Sequence, residues 1–389
     1  MKDIFIVGSK GIPAQYGGYE TFVDELVTRQ VNKNIKYHVA CMTFNKNTKH
    51  YDYNGADCQE ISIPDIGGAK AIVYDLKALN WALDQIKKNN LKNGIVYILA
   101  CRIGPFIHSY IPKFHKYGFQ VWVNPDGHEW MRAKWSKPVR KYWKISEGGM
   151  VKNADLLVCD SKNIEKYIHE TYEKYNPNTT FIAYGADVVR SSLNENDDKV
   201  VNWYKEHAIE PNNYFLIVGR FVPENNYETM IREFMASDVD KDLVIITNVE
   251  HNKFYEELKE KTHFETDKRI KFVGTVYDKD LLKYIRENAF GYIHGHSVGG
   301  TNPSLLEALA DTKLNLLYGV GFNKEVGEDG ALYWSKTPGF LKDLLERVDK
   351  LTQKQIDNLG KKAQQRIVEE YSWQKIVNEY EMNFEGRKQ

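Results

Sequence analysis

The feature that most constrains this chain is an alternation running from one end to the other. Short, continuous apolar runs rich in β-branched residues are each followed by a longer stretch with helical spacing. Runs at 4–7, 37–41, 95–100, 121–124, 156–159 and 181–184 form one series, and runs at 215–218, 243–247, 270–273, 291–294 and 314–318 form a second. Several are unbroken apolar runs, the pattern of strands buried on both faces of a parallel sheet. Between them lie patterns such as 21–30, where Phe22, Val23, Leu26 and Val27 share one helical face. Such repetition predicts an α/β fold with doubly wound sheets. A length of 389 residues suggests two or three domains at about 150 residues each. The break falls where the series changes, in the polar stretch Ser191-Ser192-Leu193-Asn194-Glu195-Asn196-Asp197-Asp198 and then Pro211-Asn212-Asn213. The expected organisation is a first domain over 1–188, a linker over 189–213 with one short helix near 200–207, and a second domain over 214–371. A long helix near 353–370 precedes a last one from about Ser372, which has the chemistry of an N-cap.

Composition narrows the function classes. Lys plus Arg (53) equals Asp plus Glu (53), which argues against a bulk basic surface for nucleic acid, and no nucleic-acid partner is expected. No apolar run approaches the roughly 18 residues of a membrane span. The opening Met1-Lys2-Asp3 runs directly into Ile4-Phe5-Ile6-Val7, too short for a signal-peptide core and better read as a first strand. Cys41, Cys58, Cys101 and Cys159 form no CxxC pair, so a reduced, cytoplasmic compartment is expected.

Four segments carry chemistry. The loop from Gly8 to Glu20, with Gly17-Gly18 before a helix, lets backbone approach a ligand and is neither a dinucleotide fingerprint nor a P-loop. The alternative is a glycine-rich turn needed only for packing. Gly219-Arg220 follows the first strand of the second series, where an arginine can clamp phosphate oxygens in bidentate fashion. The segment from Tyr292 to Leu309 is a strand, a glycine-rich loop and a helix with Pro303 in its first turn. Free N–H groups at Ser304 and Leu305 are expected to hold a diphosphate, and Glu307 to accept hydrogen bonds from sugar hydroxyls. His294 and His296 lack a third ligand at a useful spacing, so no metal is expected. Last, Asn124-Pro125-Asp126-Gly127-His128-Glu129-Trp130 offers general-base and hydroxyl-binding groups at a strand end. Residues 130–144 then hold six cations, four aromatics and no acid: Arg132, Lys134, Lys137, Arg140, Lys141 and Lys144 among Trp130, Trp135, Tyr142 and Trp143. That mixture suits either an anionic membrane surface or a solvated basic face.

Taken in order, Gly17-Gly18-Tyr19-Glu20, Gly219-Arg220, Phe272-Val273-Gly274, the strand–loop–helix ending at Glu307 and Tyr371-Ser372-Trp373 resemble the retaining GT-B glycosyltransferases of glycosyltransferase family 4. The resemblance covers nearly the whole chain. The Asp126-to-Trp130 segment and Gly299-Gly300-Thr301-Asn302-Pro303-Ser304 further resemble bacterial rhamnosyltransferases of capsule and cell-wall polysaccharide synthesis. The resemblance implies two Rossmann-like domains facing across a cleft, with residues 372–389 crossing back to the first. It implies a nucleotide-sugar donor, dTDP-L-rhamnose above others, held by Gly17, Gly18, Arg220, Gly274, His296, Asn302, Ser304, Leu305 and Glu307. Acceptor binding falls to Asp126, Glu129, Arg132 and Lys134, and the catalytic set is Asp126, His128, Arg220 and Glu307. Two departures stand out: the family usually has Lys where this chain has Asn225, and Glu where it has Gly299.

The mechanism this implies is front-face displacement with retention, needing no cofactor, on a lipid-diphosphate-linked sugar at the inner face of the plasma membrane. The rival readings are a transferase using UDP-glucose or GDP-mannose, a phosphorylase or epimerase on the same architecture, and a non-catalytic nucleotide or carbohydrate binder. An NAD-dependent oxidoreductase is disfavoured because both halves lack GxGxxG.

Overall fold

A computed structural model describes residues 1–14, 17–132, 135–249 and 252–386. The chain divides into two compact units, one of Met1–Tyr184 with Trp373–Gln389, the other Gly185–Ser372.

The first unit is built on strands β1 (Lys2–Val7), β2 (Ile35–Thr43), β3 (His50–Tyr53), β4 (Ala56–Ser62), β5 (Ile95–Leu99), β6 (Gln120–Asn124), β7 (Leu156–Cys159) and β8 (Thr179–Phe181). Their order is β3-β4-β2-β1-β5-β6-β7-β8, parallel throughout except for the β3–β4 hairpin. Ile4, Phe5, Ile6 and Val7 are buried, as is all of β5, because helices cover both faces. On one face Phe5, Val7, Val96 and Ile98 pack with Tyr74, Ala78, Leu79 and Leu83 of the helix Lys70–Lys88. On the other, the last helix, Trp373–Glu385, sets Tyr380 4.9 Å from Phe22 and Phe384 5.4 Å from Trp122. Glu381 binds this helix down by accepting the N–H groups of Val31 and Asn32.

The second unit carries β9 (Tyr214–Val218), β10 (Asp242–Ile246), β11 (Ile270–Phe272), β12 (Gly291–His294), β13 (Asn315–Tyr318) and β14 (Leu332–Trp334), all parallel, in the order β11-β10-β9-β12-β13-β14. The stretch 189–213 adheres to this unit. Its helix Asp198–His207 buries Val200, Trp203 and Tyr204 against Tyr214, Leu216 and Tyr284, and Ser191 and Ser192 bond Asp280.

Several boundaries differ from the sequence reading. The run at 181–184 supplies strand only up to Phe181, and the strand begins at Thr179. The long helix ends at Arg366 and a π-turn, Ile367–Tyr371, follows. Strands β3, β4 and β14 were not anticipated, being short or half-exposed and so without a continuous apolar run. Asn54-Gly55, with φ of 50° and 85°, makes the turn between β3 and β4, the strongest short-range hairpin signal a sequence can carry.

Candidate functional site

In the second sheet the strand order reverses between β9 and β12, the position at which open parallel sheets bind ligands beyond their carboxyl ends. Gly219 and Arg220 leave β9 there, and Gly295 and His296 leave β12. Arg220 is exposed, and among the described residues its guanidinium meets no carboxylate. It is a cation held at a ligand position without an internal partner. The loops around it are stitched together: Asn225 Nδ2 donates to the Arg220 carbonyl at 2.7 Å, and Asn225 Oδ1 lies 2.9 Å from His296 Nδ1. Asn226 donates to the Gly295 carbonyl at 2.6 Å, and Ser297 Oγ to that of Glu224 at 2.7 Å.

The helix Pro303–Asp311 differs from expectation at its start. Ser304 N–H is capped by the Asn302 side chain at 2.9 Å, and Leu305 N–H donates to the Asn302 carbonyl at 3.0 Å. Ser304 Oγ is turned inward to the Val218 carbonyl and the Tyr292 hydroxyl. These two N–H groups are therefore not free donors, because a local side-chain acceptor satisfies the helix end first. The open donors lie one turn earlier. Gly299 and Gly300 are buried, and among the described residues their N–H groups meet no backbone acceptor. Gly274 has room beside it, since a Cβ there would meet nothing within 4 Å.

From the sequence, Glu307 is expected to be an open acceptor for hydroxyls. Its Oε2 lies 2.5 Å from the buried Arg286, which also faces Asp311 at 3.8 Å. Burial pushes the Asp311 carboxyl up to about 7 against the pull of Arg286. The Glu307 side chain keeps 40% of its surface exposed, so one oxygen can still face a ligand. His294 is buried and held neutral, its pKa driven down to about 3 by burial.

In the first unit the reversal lies between β1 and β5. Gly8 has φ of 106°, and a Cβ there would lie 2.4 Å from the Leu99 carbonyl, so the chain can leave β1 this way only as glycine. Gly17, with φ of 126°, makes room for Glu20, whose Oε1 accepts the Lys10 N–H at 2.6 Å; Gly18 opens the helix Gly18–Thr28. Packing alone thus accounts for Gly17. The residue the sequence reading missed is Arg102. It donates to the Gly8 carbonyl at 2.8 Å and pairs with the buried Asp75 at 3.3 Å, whose pKa burial raises to about 6 against that cation. The signal was available: Arg102 follows the run 95–100 as Arg220 follows 215–218.

The segment after β6 is self-bonded. Asp126 and His128 both adopt left-handed backbone, and Asp126 N–H donates to Asn124 Oδ1 at 2.9 Å. Glu129 accepts the Trp135 indole N–H at 2.9 Å and pairs with buried Arg132, which also lies 3.8 Å from Asp126. Glu129 and Arg132 therefore brace the loop rather than standing open for an acceptor, and Lys134 lies outside the described residues. His128 is half-buried, its ring 3.9 Å from that of Tyr167; burial and then the Lys144 cation lower its pKa and keep it neutral. Lys144 is half-buried rather than fully on an open face. Its Nζ sits 4.4 Å over Trp130, donates to Tyr167 Oη at 2.9 Å and lies 3.8 Å from buried Glu147. Lys137 and Lys141 remain exposed, near Met131 and Ile145 in sequence, which are exposed as well. The basic run is thus split between a braced interior and a smaller outer stripe.

Residues 1–187 match the family described as Domain of unknown function (DUF1972), and residues 200–379 match Glycosyl transferases group 1. An uncharacterized glycosyltransferase of Methanocaldococcus jannaschii is 25% identical, over 95% of each chain. Sucrose-phosphate synthase from Thermosynechococcus elongatus superposes with a TM-score of 0.78 at 15% identity, covering 99% of both chains. Anabaena HepE in complex with UDP and glucose gives 0.72 at 12% identity, covering 99% of this chain and 100% of that one. The architecture, two Rossmann-like units each on a mostly parallel sheet, is GT-B.

Proposed function

We propose that this group 1 glycosyltransferase of the GT-B fold moves a deoxyhexose, L-rhamnose from dTDP-rhamnose, onto a lipid-diphosphate-linked sugar with retention of configuration. The observation that carries the donor half of this reading is Arg220, which among the described residues meets no carboxylate and follows β9 at the β9–β12 switch point, where the loop of Gly299 and Gly300 follows β12. A cation and two amides without a backbone acceptor among the described residues, on loops that leave neighbouring strands, suit a diphosphate, whose charge grows as the glycosidic bond breaks. A single such contact contributes about 2–4 kcal/mol to lowering the barrier. HepE was solved with UDP and glucose, which supports a nucleoside diphosphate as the leaving group here.

The sugar rests on the resemblance around residues 299–307 and on glycine at 299, where a bulkier polar residue would meet more hydroxyls. The acceptor hydroxyl is oriented by Asp126 or by neutral His128. The donor phosphate takes its proton in a front-face displacement. A thermal-shift panel of dTDP-rhamnose, UDP-glucose and GDP-mannose tests the donor, because a ligand that binds only the folded state raises the melting temperature by mass action. The largest shift, and the only transfer, is expected with dTDP-rhamnose. A larger response to either of the others overturns that sugar.

A further inference from the structure

The ion pair that follows β5 uses only one end of its arginine. A guanidinium carries five N–H groups in a rigid fork. In Arg102 the Nη1 end is spent on the protein, 2.8 Å from the Gly8 carbonyl and 3.3 Å from the Leu99 carbonyl and from both oxygens of Asp75. Nε and Nη2, the other edge of the fork, donate to nothing among the described residues, and the side chain keeps 18% of its surface exposed. The mount is rigid. Ala100 has φ of 77°, strained for a residue with a Cβ, and its N–H is held on the Asn124 carbonyl at 3.0 Å. Tyr142 Oη donates to the Arg102 carbonyl at 2.7 Å, and Ser146 Oγ to that of Cys101 at 2.6 Å. An arginine pinned at its backbone and at one nitrogen, its bidentate edge open beside the β1–β5 reversal, is placed to hold two oxygens of a ligand.

Charge decides which oxygens. Asp75 already offsets the guanidinium, and Asp126 acts on it from farther off. Asp126 in turn shares Arg132 with Glu129. Among these groups three carboxylates stand against two guanidiniums, so no net positive charge is left to hold a phosphate, whereas neutral hydroxyls need none. We infer that Arg102 is a specificity-determining residue of the first unit, its Nε and Nη2 donating to two adjacent hydroxyl oxygens of the acceptor sugar. This rests on the reading above that the acceptor is a sugar, and is independent of which sugar the donor carries.

Initial rates on the full chain test this with octyl glucoside, galactoside, mannoside and N-acetylglucosaminide as acceptors, and with whichever of dTDP-rhamnose, UDP-glucose and GDP-mannose serves as donor. Two variants are compared. Arg102→Lys keeps the charge and loses the fork; Arg102→Met with Asp75→Leu removes both partners, so that no charge is stranded in the core. Melting temperature identifies the folded variant. In it, KM for the glycoside that the wild type uses is expected to rise about tenfold or more, while KM for the donor stays within about twofold. Monodeoxy analogues of that glycoside locate the contact: the wild type is expected to lose about tenfold on removal of either of two adjacent hydroxyls, and the variant to ignore both. An unchanged glycoside KM, an equal rise for donor and glycoside, or a variant that still senses the two hydroxyls overturns the inference. So does a wild type indifferent to every adjacent pair. Failure of the wild type to transfer to any of the four glycosides overturns the sugar-acceptor reading, and this inference with it.

Discussion

Arg220 and Glu307 are both charged residues beside glycine-bearing loops, yet the fold treats them differently. Arg220 is exposed and unpaired, whereas Glu307 covers the buried Arg286. Arg220→Ala is therefore expected to leave the ligand-free melting temperature unchanged while abolishing the shift produced by the nucleoside diphosphate. Glu307→Gln is expected to cost about 1–2 kcal/mol in urea melts as well as at least tenfold in transfer. It removes the nearer of the two carboxylates that face Arg286 among the described residues, leaving the charge to Asp311 at 3.8 Å, though Glu307's partial exposure softens the loss. A second residue-scale outcome concerns His38, whose ring nitrogens each lie 2.8 Å from a carboxylate, Asp57 and Asp3. Burial alone would lower its pKa, but the two carboxylates outweigh burial and raise it. With the folded value above the unfolded one, this stabilisation is complete below about pH 6.5 and is lost as pH rises through the folded value, by at most about 1.4 kcal/mol per pH unit. Melting temperature measured from pH 6 to 9 should fall more steeply in the wild type than in His38→Gln. Parallel curves would remove His38 from the account.

At the scale of elements, the start of the helix Pro303–Asp311 shows a competition that residue lists hide. Asn302 is at once a candidate ligand contact and the cap of the helix, and the cap takes its side-chain oxygen. Asn302→Ala should destabilise by about 1 kcal/mol, the ordinary value of such a cap, read from the urea midpoint at constant slope. The strands read as continuous apolar runs were legible because burial on both faces leaves no other composition. Of those that escaped, β3 and β14 sit at sheet edges and β4 lies next to the β3 edge with an alternating, half-buried pattern, so the apolar signal thins. Asn54-Gly55 shows that turn chemistry, rather than periodicity, was the signal to follow there.

At the scale of the molecule, each unit has its own core and its own switch point, and each places an arginine after the strand beside the reversal, Arg102 in one and Arg220 in the other. Among the described residues no helix is long and apolar enough to cross a membrane. We propose that recruitment to an anionic surface rests on the outer stripe of Lys137 and Lys141 with Met131 and Ile145, since Arg132 is buried against Glu129 and the Lys144 ammonium is engaged by Trp130, Tyr167 and Glu147. Each cation near such a surface contributes on the order of 1 kcal/mol. Replacing Lys137 and Lys141 with Gln is expected to abolish salt-sensitive flotation with phosphatidylserine vesicles, and replacing Lys144 with Met to leave flotation intact. Absence of wild-type flotation at low salt would end the membrane proposal.

By itself the sequence determined the fold class, the twofold repetition of strand and helix, and the loops that carry Arg220, Gly299 and Asp126. Those depend on local hydrophobic pattern and on glycine and proline chemistry, which act over a few residues. Only the tertiary structure decided which polar groups are spent on one another. Asp75 and Arg102, or Glu307 and Arg286, lie far apart in the chain, and no local pattern records that they meet. The same holds for Lys144, counted from the sequence as a surface cation and found among Trp130, Tyr167 and Glu147. The physical reason is that burying a charge demands a partner, and the fold chooses that partner by proximity in space.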